Sequence, residues 1–148
     1  MRDVTDWTTR VAELCDLAAD ALADGDHEAA LARVSEGFTI VDAEGNQQHA
    51  IFASLLATAA DVSAMSDEID SARSLYTRAH QVAAVSRADG SLVAKALVGL
   101  GSIAEADGDT GKAADFYRNA IDALSKSEHE DAQVAQAAIR EALERVST

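Results

Sequence analysis

Residues 97–121 read LVGLGSIAEADGDTGKAADFYRNAI. Leu97, Leu100, Gly101 and Ala104 recur at i, i+3, i+4 and i+7, which is one face of a helix. Asp107-Gly108-Asp109 then breaks the pattern. Glycine ends a helix by taking a conformation that side chains resist, and aspartate caps the next one by accepting a backbone N–H. Beyond the break Ala113, Tyr117, Ala120, Ile121 and Leu124 fall at i, i+4, i+7, i+8 and i+11, a second apolar stripe of the same period. Two helices joined by so short a turn are antiparallel neighbours, so the stretch is expected to be a helical hairpin.

The same hairpin recurs upstream. Ala72, Tyr76, Ala79 and His80 occupy the places of Ala113, Tyr117, Ala120 and Ile121, and Ala30, Val34, Gly37 and Phe38 occupy them once more, each time about 42 residues further back. The partner helices keep that step through Leu14, Leu17, Ala18 and Ala21, then Leu56, Ala59, Ala60 and Ser63. A last stripe, Ile139, Ala142, Leu143 and Val146, begins one further step beyond Leu97 and has no second helix after it. With no Pro in the chain and turn residues at each break, helices are expected near 6–24, 27–41, 47–65, 69–87, 90–107, 110–125 and 130–146. A two-helix unit repeated at this period marks an all-α solenoid, in which each hairpin buries its apolar face on the next. The expected architecture is one domain, 1–148, with units at about 6–41, 47–87 and 90–125 and a capping helix at about 130–146. Small residues at Ala18, Ala60 and Gly101, and at Ala30, Ala72 and Ala113, are expected to let the helix axes approach closely.

Composition narrows the function. The chain has 148 residues, 48% hydrophobic and 26% charged, which suits a globular domain. Asp and Glu outnumber Lys and Arg by 26 to 12, a formal charge of -14, so nucleic acid and anionic membranes are not expected as partners. A lone Cys15 rules out an intrachain disulfide and a cysteine zinc cage. No apolar run near Met1 reads as a leader or a spanning helix, and a cytoplasmic location is expected.

The stretch Leu97-x-x-Leu100-Gly101-x-x-Ala104-x-x-x-Gly108-Asp109-x-x-x-Ala113-x-x-x-Tyr117-x-x-Ala120-Ile121 resembles a tetratricopeptide repeat. It departs at Leu97, where that family prefers Trp, at Ala104, where it prefers Tyr, and at Thr110, where an aromatic often follows the turn. The first unit keeps Leu17, Gly25-Asp26 and Ala30, and the second keeps Ala72, Tyr76 and Ala79 but has Asp67 in place of the turn glycine. The family's usual period is about 34 residues. The longer spacing here is similar to the extended repeats of kinesin light chains and of bacterial peptide-sensing regulators. The resemblance implies a right-handed α-α superhelix that binds proteins or peptides.

Candidate chemistry reduces to turns and packing. Gly108-Asp109-Thr110-Gly111-Lys112 looks like a phosphate-binding loop, but the motif needs Gly where Ala106 stands and Ser or Thr where Ala113 stands. Asp107, Asp109 and Gly111 mimic the start of a calcium loop, yet Lys112 replaces its turn glycine and Arg118 its bidentate acid. Both readings give way to a helix–turn–helix in which Asp109, like Asp26, caps a helix. His27, His49, His80 and His129 show no metal-ligand spacing, and Cys15 reads as a packing residue. An enzyme is not expected, nor a cofactor or metal.

In a solenoid of this type the first helix of each hairpin lines the concave side. The expected peptide groove comprises Asp16 and Leu22 from the first unit, Thr58, Asp61 and Met65 from the second, and Lys95, Val98, Ser102 and Glu105 from the third. Tetratricopeptide domains that clamp acidic chaperone tails use Lys, Asn and Arg at places that the resemblance matches to Cys15, Ala19, Thr58, Lys95 and Gly99, and only Lys95 fits. The groove suits another protein or peptide segment with apolar anchors and basic residues. An adaptor or scaffold is expected. The competing expectations are a dedicated chaperone for one client, a regulatory helical-repeat fragment, or a self-associating structural homodimer with Trp7, Val11 or Val146 at the contact.

Overall fold

The computed structural model describes residues 6–148, with the side chain of Asp6 left out. Among the described residues it is all-α, with seven helices, and consecutive helices pack on one another within residues 6–86 and within residues 87–148, consistent with a helical-repeat solenoid. These are α1 (Asp6–Ala23), α2 (His27–Glu44), α3 (Ala50–Met65), α4 (Ile69–Val85), α5 (Gly90–Ala106), α6 (Thr110–Ser125) and α7 (Ala132–Ser147). The chain divides into two compact units, residues 1–86 and 87–148.

The turns repeat bond for bond. Gly25, Asp67 and Gly108 all adopt left-handed backbone, with φ of 77°, 63° and 83°. Their N–H groups donate to the carbonyls of Leu22, Ala64 and Glu105 at 3.0, 3.2 and 3.0 Å. The next N–H groups, of Asp26, Glu68 and Asp109, reach back to Ala21, Ser63 and Ala104 at 2.8, 2.8 and 2.9 Å. This double closure satisfies the last carbonyls of one helix. The same residues start the next helix: the side chains of Asp26 and Asp109 accept from the N–H of Ala29 and Lys112, each at 3.0 Å, whereas Glu68 makes no side-chain cap bond. The repeat is thus carried by backbone geometry as well as by sequence.

In residues 1–86, α1 pairs with α2 and α3 with α4, and α3 also packs on both α1 and α2. With neighbours on three sides, α3 buries Phe52, Ala53, every residue from Leu55 to Ala60, and Val62. A helix apolar all round belongs in an interior, and this one is central to its unit. Ala18, Ala30, Ala60 and Ala72 are fully buried at the close approaches. Leu17, expected on the packing stripe, is instead exposed, because α1 turns Leu14 and Ala18 to the core and Leu17 away from it. Trp7, expected as a contact for a second copy, is buried edge-on to His49 with ring centroids 5.5 Å apart, and Val11 is wholly buried.

In residues 87–148, α6 packs between α5 and α7, around Leu97, Ala113, Tyr117, Ala120, Leu124 and Ile139. Val146, the third residue expected at a self-association edge, is buried in this core. Gly101 lies against the ring of Tyr117, where an added Cβ would come within 2.6 Å of Cε1. At the start of α5, a Cβ on Gly90 would collide with the carbonyl oxygen of Ala123. The first of these close approaches is the one that the repeat predicts. The second makes Gly90, the first residue of α5, a packing residue as well.

The two helix ends that differ most from expectation, by three residues each, do so for local reasons. α2 continues through Asp42, Ala43 and Glu44 until Gly45, at φ 69°, returns its N–H to Val41. α3 starts at Ala50 rather than near 47 because His49 is its cap, its Nδ1 accepting from the N–H of Ile51 at 3.0 Å. Histidine is not among the usual capping residues, so the sequence carries little sign of it.

Candidate functional site

The residues expected to line the groove have different fates. On α1, Asp16 is exposed and Leu22 half-buried. On α3, Met65 is exposed and Asp61 half-buried, but Thr58 is only 3% exposed and its hydroxyl donates to the carbonyl of Ser54 at 2.9 Å. Thr58 is therefore an interior residue. On α5, Lys95 and Ser102 are exposed, with Val98 and Glu105 half-buried. Successive steps of three, four and three positions set these four along one face of α5.

Two of the expected groove acids are held by tyrosines of their own hairpins. The Tyr76 hydroxyl donates to Asp61 from α4. One repeat later the Tyr117 hydroxyl donates to Glu105 at 2.8 Å and lies 3.5 Å from Ser102, the residue in register with Asp61. Burial, then the neighbouring negative charge of Asp61, pushes the Tyr76 phenol far above its ordinary pKa. Burial is also the main cause that raises Tyr117. These phenols stay protonated and act as fixed donors.

Glu105 has a further partner that the sequence does not announce. Arg145 of α7 grips it with two bonds, Nε to Oε2 at 2.7 Å and an Nη to Oε1 at 2.9 Å. The guanidinium first, then Tyr117, lowers the Glu105 pKa to about 2. Arg140, on the same helix, is exposed. Glu105 and Arg145 lie far apart in sequence, and only the packing of α7 brings them together.

A cleft that sequence reasoning missed opens in residues 1–86. The second helices α2 and α4 do not pack on one another, and between them lies a space of about 540 Å³ floored by the last turns of α3. Leu31, Val34, Phe38 and Leu75 form apolar walls, with Glu28 and Glu68 at one end. Leu31 is 56% exposed there. Phe38 is kept upright by an edge contact with Phe52 at 6.1 Å, and Arg78 stacks on the Phe52 ring at 5.1 Å. The clue was available: residues 27, 31, 34 and 38 share one face of α2, yet the core needs only Val34 of them.

Gly108–Lys112 is the turn described above, and Asp109 is occupied in capping α6. Three of the four histidines serve local roles: His49 caps α3, His129 Nδ1 accepts from the N–H of Asp131 at 3.2 Å, and His27 Nδ1 lies 3.4 Å from the Ser66 hydroxyl at the cleft. Among the described residues no group of three His, Cys, Asp or Glu side chains is placed to hold a metal ion, and no helix is long and apolar enough to cross a membrane. Set against known proteins, the chain matches no protein-family model and no curated relative.

Proposed function

We propose that this chain is a non-catalytic helical-repeat module of the tetratricopeptide kind that binds a protein or peptide segment, working in the cytoplasm as an adaptor or scaffold. The observation that carries the reading is the hairpin itself, repeated with the same turn bonds and leaving polar and apolar side chains exposed on its first helices. Repeats of this construction offer extended surface rather than an enclosed reaction centre. The tying of Asp61 and Glu105 to tyrosines favours the same reading, since both acids are engaged in structural bonds.

Affinity capture from the source lysate tests it, comparing wild type with the double variant Asp16→Lys, Lys95→Glu. Both positions are exposed, so the fold, checked by circular dichroism, is expected to survive. A protein held by wild type and lost by the variant is the expected result. Identical recovery from both would overturn a binding role for the first-helix surface.

A further inference from the structure

We propose that the cleft between α2 and α4 is a docking groove for one short amphipathic helix of a partner protein, carrying two or more apolar anchors and a Lys or Arg at one end. This deepens the protein-binding reading and rests on it. The groove is walled by the second helices and floored by α3, and none of the first-helix residues on which that reading was built lines it.

Three observations point to this occupant. The first is size and shape: from His27 to Phe38 the wall of α2 runs for three turns, about 16 Å at the helical rise, and encloses about 540 Å³ with α4. That length matches a segment of about three turns laid between two helices, one of the recurring ways in which peptides are recognised. The second is the lining. Leu31, Val34, Phe38, Val62 and Leu75 offer apolar contact along the groove, and Leu31 keeps more than half of its surface in water although it adjoins the core. An anchor seated on Leu31 removes both apolar surfaces from solvent, the source of most interface energy.

The third is charge. The lining includes Glu28 and Glu68 and no Lys or Arg. Both acids stand at helix N-termini, whose backbone N–H groups carry roughly half a positive charge each, so about one net negative charge remains at that end. The chain's formal charge of -14 adds to the same field. A cationic side chain at one end of the bound helix is thus favoured, and it sets the direction in which the helix lies.

The test uses the full chain and a displayed library of random peptides long enough to form about three helical turns. Selected peptides are synthesised with a fluorescent label, and their binding is followed by anisotropy. Peptides with apolar residues three or four apart and a terminal Lys or Arg are expected. Leu31→Asp should weaken them at least tenfold, and Glu28→Lys with Glu68→Lys should weaken them severalfold and flatten their salt dependence. Both variants change exposed side chains, and circular dichroism confirms the fold. The proposal is overturned if no peptide is selected, or if selected peptides bind Leu31→Asp as tightly as wild type. If they instead lose affinity for the Asp16→Lys, Lys95→Glu variant, the binding role survives and the groove assignment falls. A dimer in sedimentation that Leu31→Asp dissolves would also overturn it, by making a second copy the occupant.

Discussion

At Gly101 a single added methyl group meets the Tyr117 ring at 2.6 Å, and that ring cannot swing aside without leaving Glu105. Gly101→Leu and Ala113→Leu are therefore expected to overpack the unit and cost about 1–3 kcal/mol each, read as lower urea midpoints. Gly90→Ala strikes backbone, the Ala123 carbonyl, and should lower the midpoint further than Gly101→Ala does. Left-handed positions offer the opposite sign. Arg87, at φ 56°, and Asp67, at φ 63°, adopt a conformation that costs ordinary side chains about 1–2 kcal/mol. Arg87→Gly should raise stability by up to about 1 kcal/mol, with the gain reduced by the greater freedom of glycine in the unfolded chain. Asp67→Gly should gain less, because Asp tolerates this backbone better than most residues. The sequence showed where small residues were needed, since a repeat multiplies each signal. It did not show Thr58 as interior, because a hydroxyl that bonds its own helix backbone resembles a surface residue in any pattern.

Helix order, helix count and the turn positions were all legible as elements, because Gly-Asp breaks and apolar stripes are local features. What holds one element to another was less so. α7 was recognisable as a cap from its stripe, but its grip on Glu105 through Arg145 depends on packing between distant stretches of chain. That grip makes an acid-sensitive prediction. The folded pKa of Glu105, about 2, lies below its unfolded value, so the bond stabilises fully above the ordinary Glu range and is lost as pH falls towards 2. Hydrogen bonds from Ser91, then Ser127, likewise hold Asp89 at about 2, with the same sign. Arg145→Met should thus be less stable than wild type near neutral pH, and the difference should shrink in acid. Amide exchange in α7 against pH would show it, and a difference that stays constant down to pH 2 would refute the role of Glu105.

At the scale of the molecule, division into residues 1–86 and 87–148 predicts that a fragment of residues 1–86 keeps helical circular dichroism and a cooperative urea transition. An unfolded fragment would refute it. A formal charge of -14 adds self-repulsion, so raising ionic strength from about 0.01 M to about 0.15 M should raise the melting temperature. Trp7 has a consequence in spectroscopy. It is the sole tryptophan, and it is buried in residues 1–86 against an imidazole. Its emission is therefore an optical label for that part of the chain alone, blue-shifted while the indole is dry and red-shifting when water reaches it. Residues 87–148 are dark in this channel, and their only tyrosine, Tyr117, absorbs without red-edge excitation. Excited at its red edge, the protein carries its own one-sided reporter, and a gap between emission and ellipticity curves would time the two halves separately.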